Sequence, residues 1–390
     1  MKTGIEEYVA IKNNKRMAFG YTTGTCAAAA ACAAAQLLLT GRPVPSVSIL
    51  TPKGIRLNLP VEESTCEDGR AICAVKKYAG DDPDVTDGVL IYAYVEKIGG
   101  NEIEIDGGVG VGRVTKPGLD QPVGNAAINR VPRQMIREAV ESVREDLEYE
   151  NGLRVVIAIP DGMRLAEKTF NPRLGIEGGI SVLGTSGIVE PMSEEALVAT
   201  IEAEMRMRAA EGREYLLIAP GNYGMDFIRE SGELNLEEAV KCSNYVGRTV
   251  DIAVELGVRG ILFVGHIGKF IKVAGGIMNT HSREADSRLE ILAAHGALAG
   301  ADTSLLKRVM ASVTTEDALD ILAEAGVLDT VMETVVEKVE FYLRHRAYDR
   351  LEIGAILFSS RRGELGRSPS ADRLWDILKN QKKRSKGGQE

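Results

Sequence analysis

The chain has 390 residues, of which 44% are hydrophobic, and a net charge of −9, so it has enough apolar material for about two packed domains and is not a disordered chain. The acidic balance argues against a general nucleic-acid binder, because such proteins carry a basic excess or a basic face. No apolar run reaches the ~20 residues of a membrane span, and we find no signal peptide. The five cysteines form no C-x-x-C pair, which predicts free thiols in a reduced, cytoplasmic compartment.

Residues 1–150 are predicted to form an α+β two-layer domain. The alanine tract that begins at Cys26 predicts one helix, and a second helix is predicted over 130–150, with Pro132 in its first turn. Strands without regular helical crossovers favour two layers. The predicted strands are rich in β-branched residues and lie at 47–50, 55–59, 71–75, 89–95 and 101–105.

From residue 151 to 378 apolar strands alternate with helices, which predicts a doubly wound, mainly parallel, Rossmann-like sheet. Near-continuous apolar runs suit strands that are buried on both faces. These runs lie at 155–159, 179–183, 215–219, 260–264 and 353–358, and helices are predicted at 193–211 and 243–256. A helical insertion is predicted over 285–348, and residues 379–390 are predicted to form a basic, disordered tail.

Small, polar or glycine-rich loops follow the predicted strands. Ligands bind outside the carboxyl ends of strands in an open parallel sheet, and glycine lets backbone N–H groups approach a ligand. The pattern therefore predicts a ligand crevice lined by loops 160–162, 184–187, 220–224, 265–269 and 359–363. The chain matches neither the Walker A motif nor the dinucleotide fingerprint, and it has no Gly-x-Ser-x-Gly elbow. Residues 221–224 are compatible with an adenosine-bearing ligand or with an ordinary turn.

Two segments suit an anionic ligand. Residues 265–288 carry a local surplus of cations, which fits either a carboxylate-rich ligand or a solvated helix face. Three threonines in residues 20–26 precede the alanine helix, where plain N-capping needs only one; hydroxyls and free N–H groups there favour an anion site. His281 and Asp286 have no third ligand at metal-binding spacing, so no metal site is predicted.

Several motifs resemble the CbiD family of the anaerobic, cobalt-early cobalamin pathway. The string Gly20-Tyr21-Thr22-Thr23-Gly24-Thr25-Cys26, which runs into four alanines, resembles the family's N-terminal signature. Further similar motifs lie at 80–88, 108–115, 184–187, 242–244, 264–269 and 280–283. The resemblance covers about residues 15–365, in the family's order.

The resemblance implies a methyltransferase that moves a methyl group from S-adenosylmethionine to ring carbon C1 of cobalt-precorrin-5B, giving cobalt-precorrin-6A. It also implies a two-domain fold that differs from the usual tetrapyrrole methylases. Cobalt arrives with the corrinoid substrate, so no resident metal is expected. No nucleic acid or membrane partner is expected; homo-oligomerisation and transient contact with other enzymes of the pathway stay open.

Site residues follow from this resemblance together with the loop pattern. The methyl donor is expected over the strand-end loops, at Gly184, Thr185, Ser186, Gly221, Asn222, Gly224, Ser243 and Asn244. The macrocycle is expected between the domains, held by Thr22, Thr23, Thr25, Lys269 and Arg283. Catalytic roles, either accepting a proton or orienting the ring, are expected for His266 and His281.

Two other functions stay open on the residues alone. One is a nucleotide-dependent oxidoreductase, against which the missing dinucleotide fingerprint counts. The other is a non-catalytic cobalt-corrinoid carrier, because methyl transfer requires no particular catalytic side chain and so leaves no signature that a carrier would lack.

Overall fold

The computed structural model describes residues 2–12 and 14–386, with side chains up to residue 381. The chain divides into two compact units, Met1–Glu194 and Glu195–Glu390. This division lies later than the predicted boundary at residue 150, because the strand that follows residue 150 pairs within the first unit.

The first unit contains mostly short strands and two long helices. Its strands are β1 (Val9–Lys12), β2 (Lys15–Ala18), β3 (Gly20–Tyr21), β4 (Ser46–Leu50), β5 (Arg56–Pro60), β6 (Glu63–Glu67), β7 (Arg70–Lys76), β8 (Leu90–Ile98), β9 (Ile103–Gly107), β10 (Gly110–Val111), β11 (Arg113–Val114), β12 (Gly152–Ala158), β13 (Ile176–Glu177), β14 (Gly179–Ile180) and β15 (Ile188–Val189). Its helices are α1 (Thr23–Thr40), α2 (Arg130–Asp146) and α3 (Gly162–Ala166).

The main sheet of this unit has the order β6-β7-β8-β12-β9. Its pairs are antiparallel except for β12 and β9, which are parallel. Helices α1 and α2 pack against each other and share one core with the central strands. The two long helices predicted for this region are therefore confirmed.

Helix α1 forms the centre of that core. Alanine has the highest helix propensity, and its small side chain lets the helix lie close to its neighbours. Residues 26–35 are all buried, and Gly41 ends the helix in the left-handed conformation. By length and composition α1 is apolar enough to cross a membrane. However, 78% of this segment is buried inside the protein, as in the core helix of a globular protein.

Two runs that were predicted as strands of the second domain belong to the first unit. Strand β12 covers most of the run 155–159 and lies antiparallel to β8 and parallel to β9. The run 179–183 contributes only the two residues of β14, which pairs with β10. Their assignment to the parallel sheet was wrong, because an apolar run looks the same whichever sheet supplies its partners.

The second unit alternates strands and helices. Its strands are β16 (Tyr215–Ala219), β17 (Val240–Lys241), β18 (Gly260–His266), β19 (Glu352–Ser359) and β20 (Gly363–Arg367). Its helices are α4 (Glu194–Ala210), α5 (Asn222–Ser231), α6 (Val246–Glu255), α7 (Ile267–Phe270), α8 (Arg288–Leu298), α9 (Thr303–Met310), α10 (Thr315–Glu324), α11 (Leu328–Arg346) and α12 (Ala371–Lys386), with 3₁₀ turns at Leu236–Glu238 and Ile271–Gly275.

These strands form one sheet in the order β17-β16-β18-β19-β20. The first four are parallel, and β20 is antiparallel to β19. Leu216 and Ile218 pack into one core while Leu217 and Ala219 pack into another, so both faces of the sheet are covered. The mixed α/β class that was predicted is confirmed.

Helices α8 to α11 lie between β18 and β19, where the helical insertion was predicted. The prediction for the tail was partly wrong, since α12 continues through residues 379–386. Residues 387–390 of that predicted tail lie outside the described residues.

Candidate functional site

Four parallel strands of the second unit end side by side and bring their following loops to one edge of the sheet. Strands β17, β16, β18 and β19 are neighbours in that order. Three of the five loops predicted to line a crevice, 220–224, 265–269 and 359–363, meet at this edge. The other two, 160–162 and 184–187, follow β12 and β14 in the first unit. These two loops therefore follow strands of other sheets, and their place in the crevice stays a prediction.

His266 is the last residue of β18 and joins two of these loops. Its Nδ1 accepts the N–H of Gly268 at 3.1 Å, and its Nε2 lies 3.0 Å from the hydroxyl of Ser360. The backbone N–H of Ser360 also donates to Nε2, at 3.3 Å. Burial lowers the pKa of His266, and the nearby carboxylate of Glu316 opposes that shift. The ring is therefore held between the loops that follow β18 and β19.

Glu316 is a neighbour of this histidine that sequence reasoning did not identify. It lies in the first turn of α10, which begins with a capping box between Thr314 and Asp317. Both of its carboxylate oxygens accept from the Ser359 hydroxyl, at 2.8 and 2.7 Å, and Oε1 lies 3.7 Å from Nε2 of His266. The capping box marks the start of the helix, but no sequence signal links Glu316 to a histidine fifty residues earlier.

Two lysines at this edge pair with asparagines. Lys241, the last residue of β17, donates to Oδ1 of Asn222 at 2.9 Å. Lys269, in α7, donates to Oδ1 of Asn244 at 3.2 Å. The sequence pattern separated these residues into donor-binding asparagines and a macrocycle-binding lysine, and it did not identify Lys241. The structure brings each lysine onto an asparagine.

The loop that carries His281 and Arg283 is held by a buried lysine. Lys272 is 2% exposed and donates to the backbone oxygens of Thr280 at 3.2 Å and Ala285 at 2.7 Å. Burial lowers the pKa of Lys272, and Asp286 opposes that shift. His281 is exposed, and its Nδ1 accepts the N–H of Arg283 at 3.1 Å, which leaves the ring hydrogen on Nε2.

Three arginines near this edge have carboxylate partners. Arg288 makes a two-point contact with Asp286, at 2.6 and 2.8 Å. Arg361 and Arg362 share Asp320. Within the cationic segment 265–288, the charge of Arg288 is therefore balanced locally.

The three threonines of the first unit have internal roles. Thr22 caps α1 by accepting the N–H of Thr25 at 3.2 Å. Thr25 donates to the backbone oxygen of Gly187 at 2.6 Å, while the Thr23 hydroxyl accepts from the N–H of Leu183 at 3.0 Å. All three side chains are buried. They fasten the helix to the loop 183–187.

That loop contains three of the residues that were predicted to bind the donor. A Cβ on Gly184, which has a φ of +131°, would lie 2.4 Å from the Thr22 hydroxyl. Ser186 accepts the N–H of Ile188 with its own hydroxyl, and Thr185 is exposed. The threonine loop and residues 184–186, assigned to different ligands, thus lie together in one unit.

The glycines of the second unit divide into open and packed positions. Gly221 has a φ of +113°, and an added Cβ there would meet nothing within 4 Å. A Cβ on Gly224 would lie 2.6 Å from the backbone oxygen of Val264, so this glycine allows α5 to pack on β18. Ser243 is exposed and has a φ of +52°, in the left-handed region. Gly221 and Ser243 therefore present accessible backbone at two neighbouring strand ends.

Two other motifs serve packing and loop structure. A Cβ on Gly110 would lie 1.8 Å from the backbone oxygen of Ile159, so the alternating glycines of 108–112 permit close backbone contact. Asp84, in the motif 80–88, forms an ion pair with the buried Lys77, with 2.5 Å between Oδ2 and Nζ. Within the described residues, no three His, Cys, Asp or Glu side chains form a group that could hold a metal ion.

Comparison with known proteins gives matches along most of the chain. The family model described as CbiD matches residues 10–191, and that described as CbiD, C-terminal domain, matches residues 279–369. Relatives named cobalt-precorrin-5B C(1)-methyltransferase include one from Ruminiclostridium cellulolyticum, 51% identical over 93% of this chain and 94% of its own. Another, from Alkaliphilus metalliredigens, is 47% identical over 97% of this chain and 99% of its own.

A solved structure also matches. It is a crystal structure of a cobalamin biosynthesis protein (cbiD) from Archaeoglobus fulgidus, with 28% sequence identity and a TM-score of 0.40, covering 73% of this chain and 88% of that one.

Proposed function

This chain belongs to the CbiD family, and we propose on that premise that it methylates ring carbon C1 of cobalt-precorrin-5B with S-adenosylmethionine, giving cobalt-precorrin-6A in anaerobic cobalamin biosynthesis. The observation that carries this proposal is the 51% identity to a relative with that methyltransferase name over 93% of the chain. The match spans most of both units.

The reaction asks mainly for alignment. The bond between the donor's sulfur and its methyl carbon breaks, and its electron pair stays on sulfur. The new carbon–carbon bond takes its pair from the macrocycle, which loses one proton overall. Holding donor and acceptor in line can supply roughly 7–11 kcal/mol of the barrier. A site built from strand-end loops with few titratable groups fits that requirement.

The donor is proposed to bind in the second unit, against Gly221 and Ser243. Their backbones are accessible and lie at the ends of neighbouring parallel strands, where ligands of such sheets bind. On this proposal the unit is a doubly wound, Rossmann-like domain. The threonines and Gly184 of the first unit contribute by shaping the loop 183–187, because their side chains and packing are already engaged there.

The two histidines are proposed to orient groups and not to accept the proton. His266 accepts backbone N–H groups at both ring nitrogens, and His281 accepts one at Nδ1, which leaves the ring hydrogen of His281 on Nε2. His281, which is exposed, can donate that hydrogen to the macrocycle, and His266 holds two loops together. The proton released by the macrocycle then passes to water.

A cytoplasmic location is part of the same proposal. All five cysteines are free, which suits a reducing compartment. The proposed substrate is a small cobalt-corrinoid, and its cobalt enters as part of that substrate.

A single-turnover assay tests the function. The purified chain is mixed with S-adenosylmethionine labelled in its methyl group and with cobalt-precorrin-5B, without oxygen, and the products are separated. We expect a corrinoid that carries one labelled methyl group at C1 and an equal amount of S-adenosylhomocysteine. Corrinoid binding with unconsumed donor would support the carrier function instead, and reduction of the corrinoid by a nicotinamide would support an oxidoreductase.

A further inference from the structure

Two side-chain pairs bridge neighbouring strand-end loops of the second unit and have the same chemistry. Lys241 of β17 reaches Asn222 beyond β16, with Nζ 2.9 Å from Oδ1. Lys269, beyond β18, reaches Asn244 beyond β17, with Nζ 3.2 Å from Oδ1. The backbone oxygen of Asn244 also accepts the N–H of Thr280 at 2.9 Å, which holds this residue in place.

Each pair retains a positive charge. Among the described residues no carboxylate oxygen lies within 4 Å of either lysine Nζ, whereas Arg288 and the arginines after β19 have carboxylate partners at the same edge. The partner of each lysine is instead a neutral amide.

Each pair also offers a ligand only hydrogen-bond donors. An ammonium has no acceptor, so the asparagine presents Oδ1 to the lysine and turns its amide NH₂ group away from it. Within the described part of the chain neither asparagine NH₂ group has a hydrogen-bond partner. Remaining ammonium hydrogens and the amide hydrogens of each pair are thus available together, a set that suits a carboxylate oxygen.

We propose that Lys241–Asn222 and Lys269–Asn244 bind peripheral carboxylates of the macrocycle, an inference that rests on the proposed function. The charge decides between the two ligands. S-adenosylmethionine has a single carboxylate together with a sulfonium and an ammonium, so it gains less from two cations than a ligand with several carboxylates does. The macrocycle carries many carboxylates and gains from both. This assignment moves Asn222 and Asn244 from the donor to the macrocycle and adds Lys241 to the site.

Equilibrium binding tests the assignment without turnover. The probe is cobyrinic acid, a cobalt corrinoid with free peripheral carboxylates, compared with the same corrinoid after conversion of those groups to amides. Variants Lys241→Met and Lys269→Met remove one charge each, and Lys307→Met, at an exposed position on α9, is the matched control. Asn222→Asp and Asn244→Asp keep the side-chain shape but neutralise each lysine, and they serve if a methionine variant does not fold.

Loss of a charge-assisted hydrogen bond should raise the Kd of the carboxylate corrinoid about tenfold to hundredfold in each methionine variant and each aspartate variant. The Kd of S-adenosylmethionine and the Kd of the amide corrinoid should not change, and Lys307→Met should match the wild type. Three results would each overturn the inference. These are an unchanged Kd of the carboxylate corrinoid in the variants, weakened S-adenosylmethionine binding in the variants, or no binding of the carboxylate corrinoid by the wild type. Lysine-dependent binding by a wild type that transfers no methyl group would reject the proposed function and leave this inference standing.

Discussion

Replacing Thr25 with valine separates a structural role of the threonine loop from a ligand-binding one. Thr25 is fully buried, and its hydroxyl donates to the backbone oxygen of Gly187 at 2.6 Å. Valine keeps the shape of the side chain and removes this bond. The Gly187 oxygen retains the N–H of Thr22 at 3.1 Å, so it is not left without a donor. We therefore expect the free energy of unfolding to fall by about 0.5–1.5 kcal/mol, the net contribution of a typical hydrogen bond.

The assay is urea unfolding followed by far-ultraviolet circular dichroism, with corrinoid binding measured in parallel. Thr40→Val is the control: Thr40 is exposed at the end of the same helix, where water can replace the hydrogen bond that its hydroxyl donates to the Gln36 oxygen, so its change should stay within about 0.5 kcal/mol. Thr25→Val should be less stable but bind cobyrinic acid with unchanged Kd. An unaltered free energy of unfolding together with a raised Kd would show that the hydroxyl faces the ligand, and the structural reasoning would be refuted.

Two further predictions concern packing and pH. Gly110→Ala should destabilise the chain by well over the ~1 kcal/mol of a typical substitution, because the new Cβ would lie 1.8 Å from the Ile159 backbone oxygen. Gly99→Ala is the control, because a Cβ there would meet nothing within 4 Å. Thermal unfolding of both variants measures the difference. Burial lowers the pKa values of His266 and His295, so the unfolded chain binds protons first as the pH falls. Their contribution to the free energy of unfolding is full above about pH 6.5 and is lost as the pH falls towards their folded pKa values. Replacing either histidine with glutamine should therefore reduce the fall in the free energy of unfolding at acid pH, as measured by urea unfolding at a series of pH values. An unchanged slope in both histidine variants, or equal stability of the two alanine variants, would contradict the respective argument.

Sequence periodicity predicted elements whose signal is local. The alanine tract and the run 215–219 were identified because helix propensity and continuous apolarity are visible within one segment. The run 155–159 was also recognised as a strand, but its sheet was wrong. Its partners are β8, more than fifty residues earlier, and β9, and nothing inside the run distinguishes an inner strand of one sheet from that of another.

The candidate site shows the same limit at the level of side chains. Glycine-rich strand ends were predicted from the sequence alone. The structure shows that Gly221 has open space around it, whereas Gly224, three residues later, packs against a backbone carbonyl. The threonines looked available for a ligand because their partners, the oxygens and N–H groups of residues 183–187, lie about 160 residues away. Hydrogen-bond partners at such separations are set by the fold, not by spacing.

Charge balance at the sheet edge reconciles an acidic protein with a carboxylate-rich ligand. At physiological ionic strength exposed charges more than about 8 Å apart are largely screened, so the net charge of −9 acts weakly on a bound ligand compared with groups in contact with it. What matters locally is whether a cation already has a carboxylate partner, as Arg288 does with Asp286. Lys241 and Lys269 have neutral amides instead, and their charge is retained for a ligand. Counting lysines and arginines along the sequence cannot make this distinction, because it depends on which side chain each cation meets.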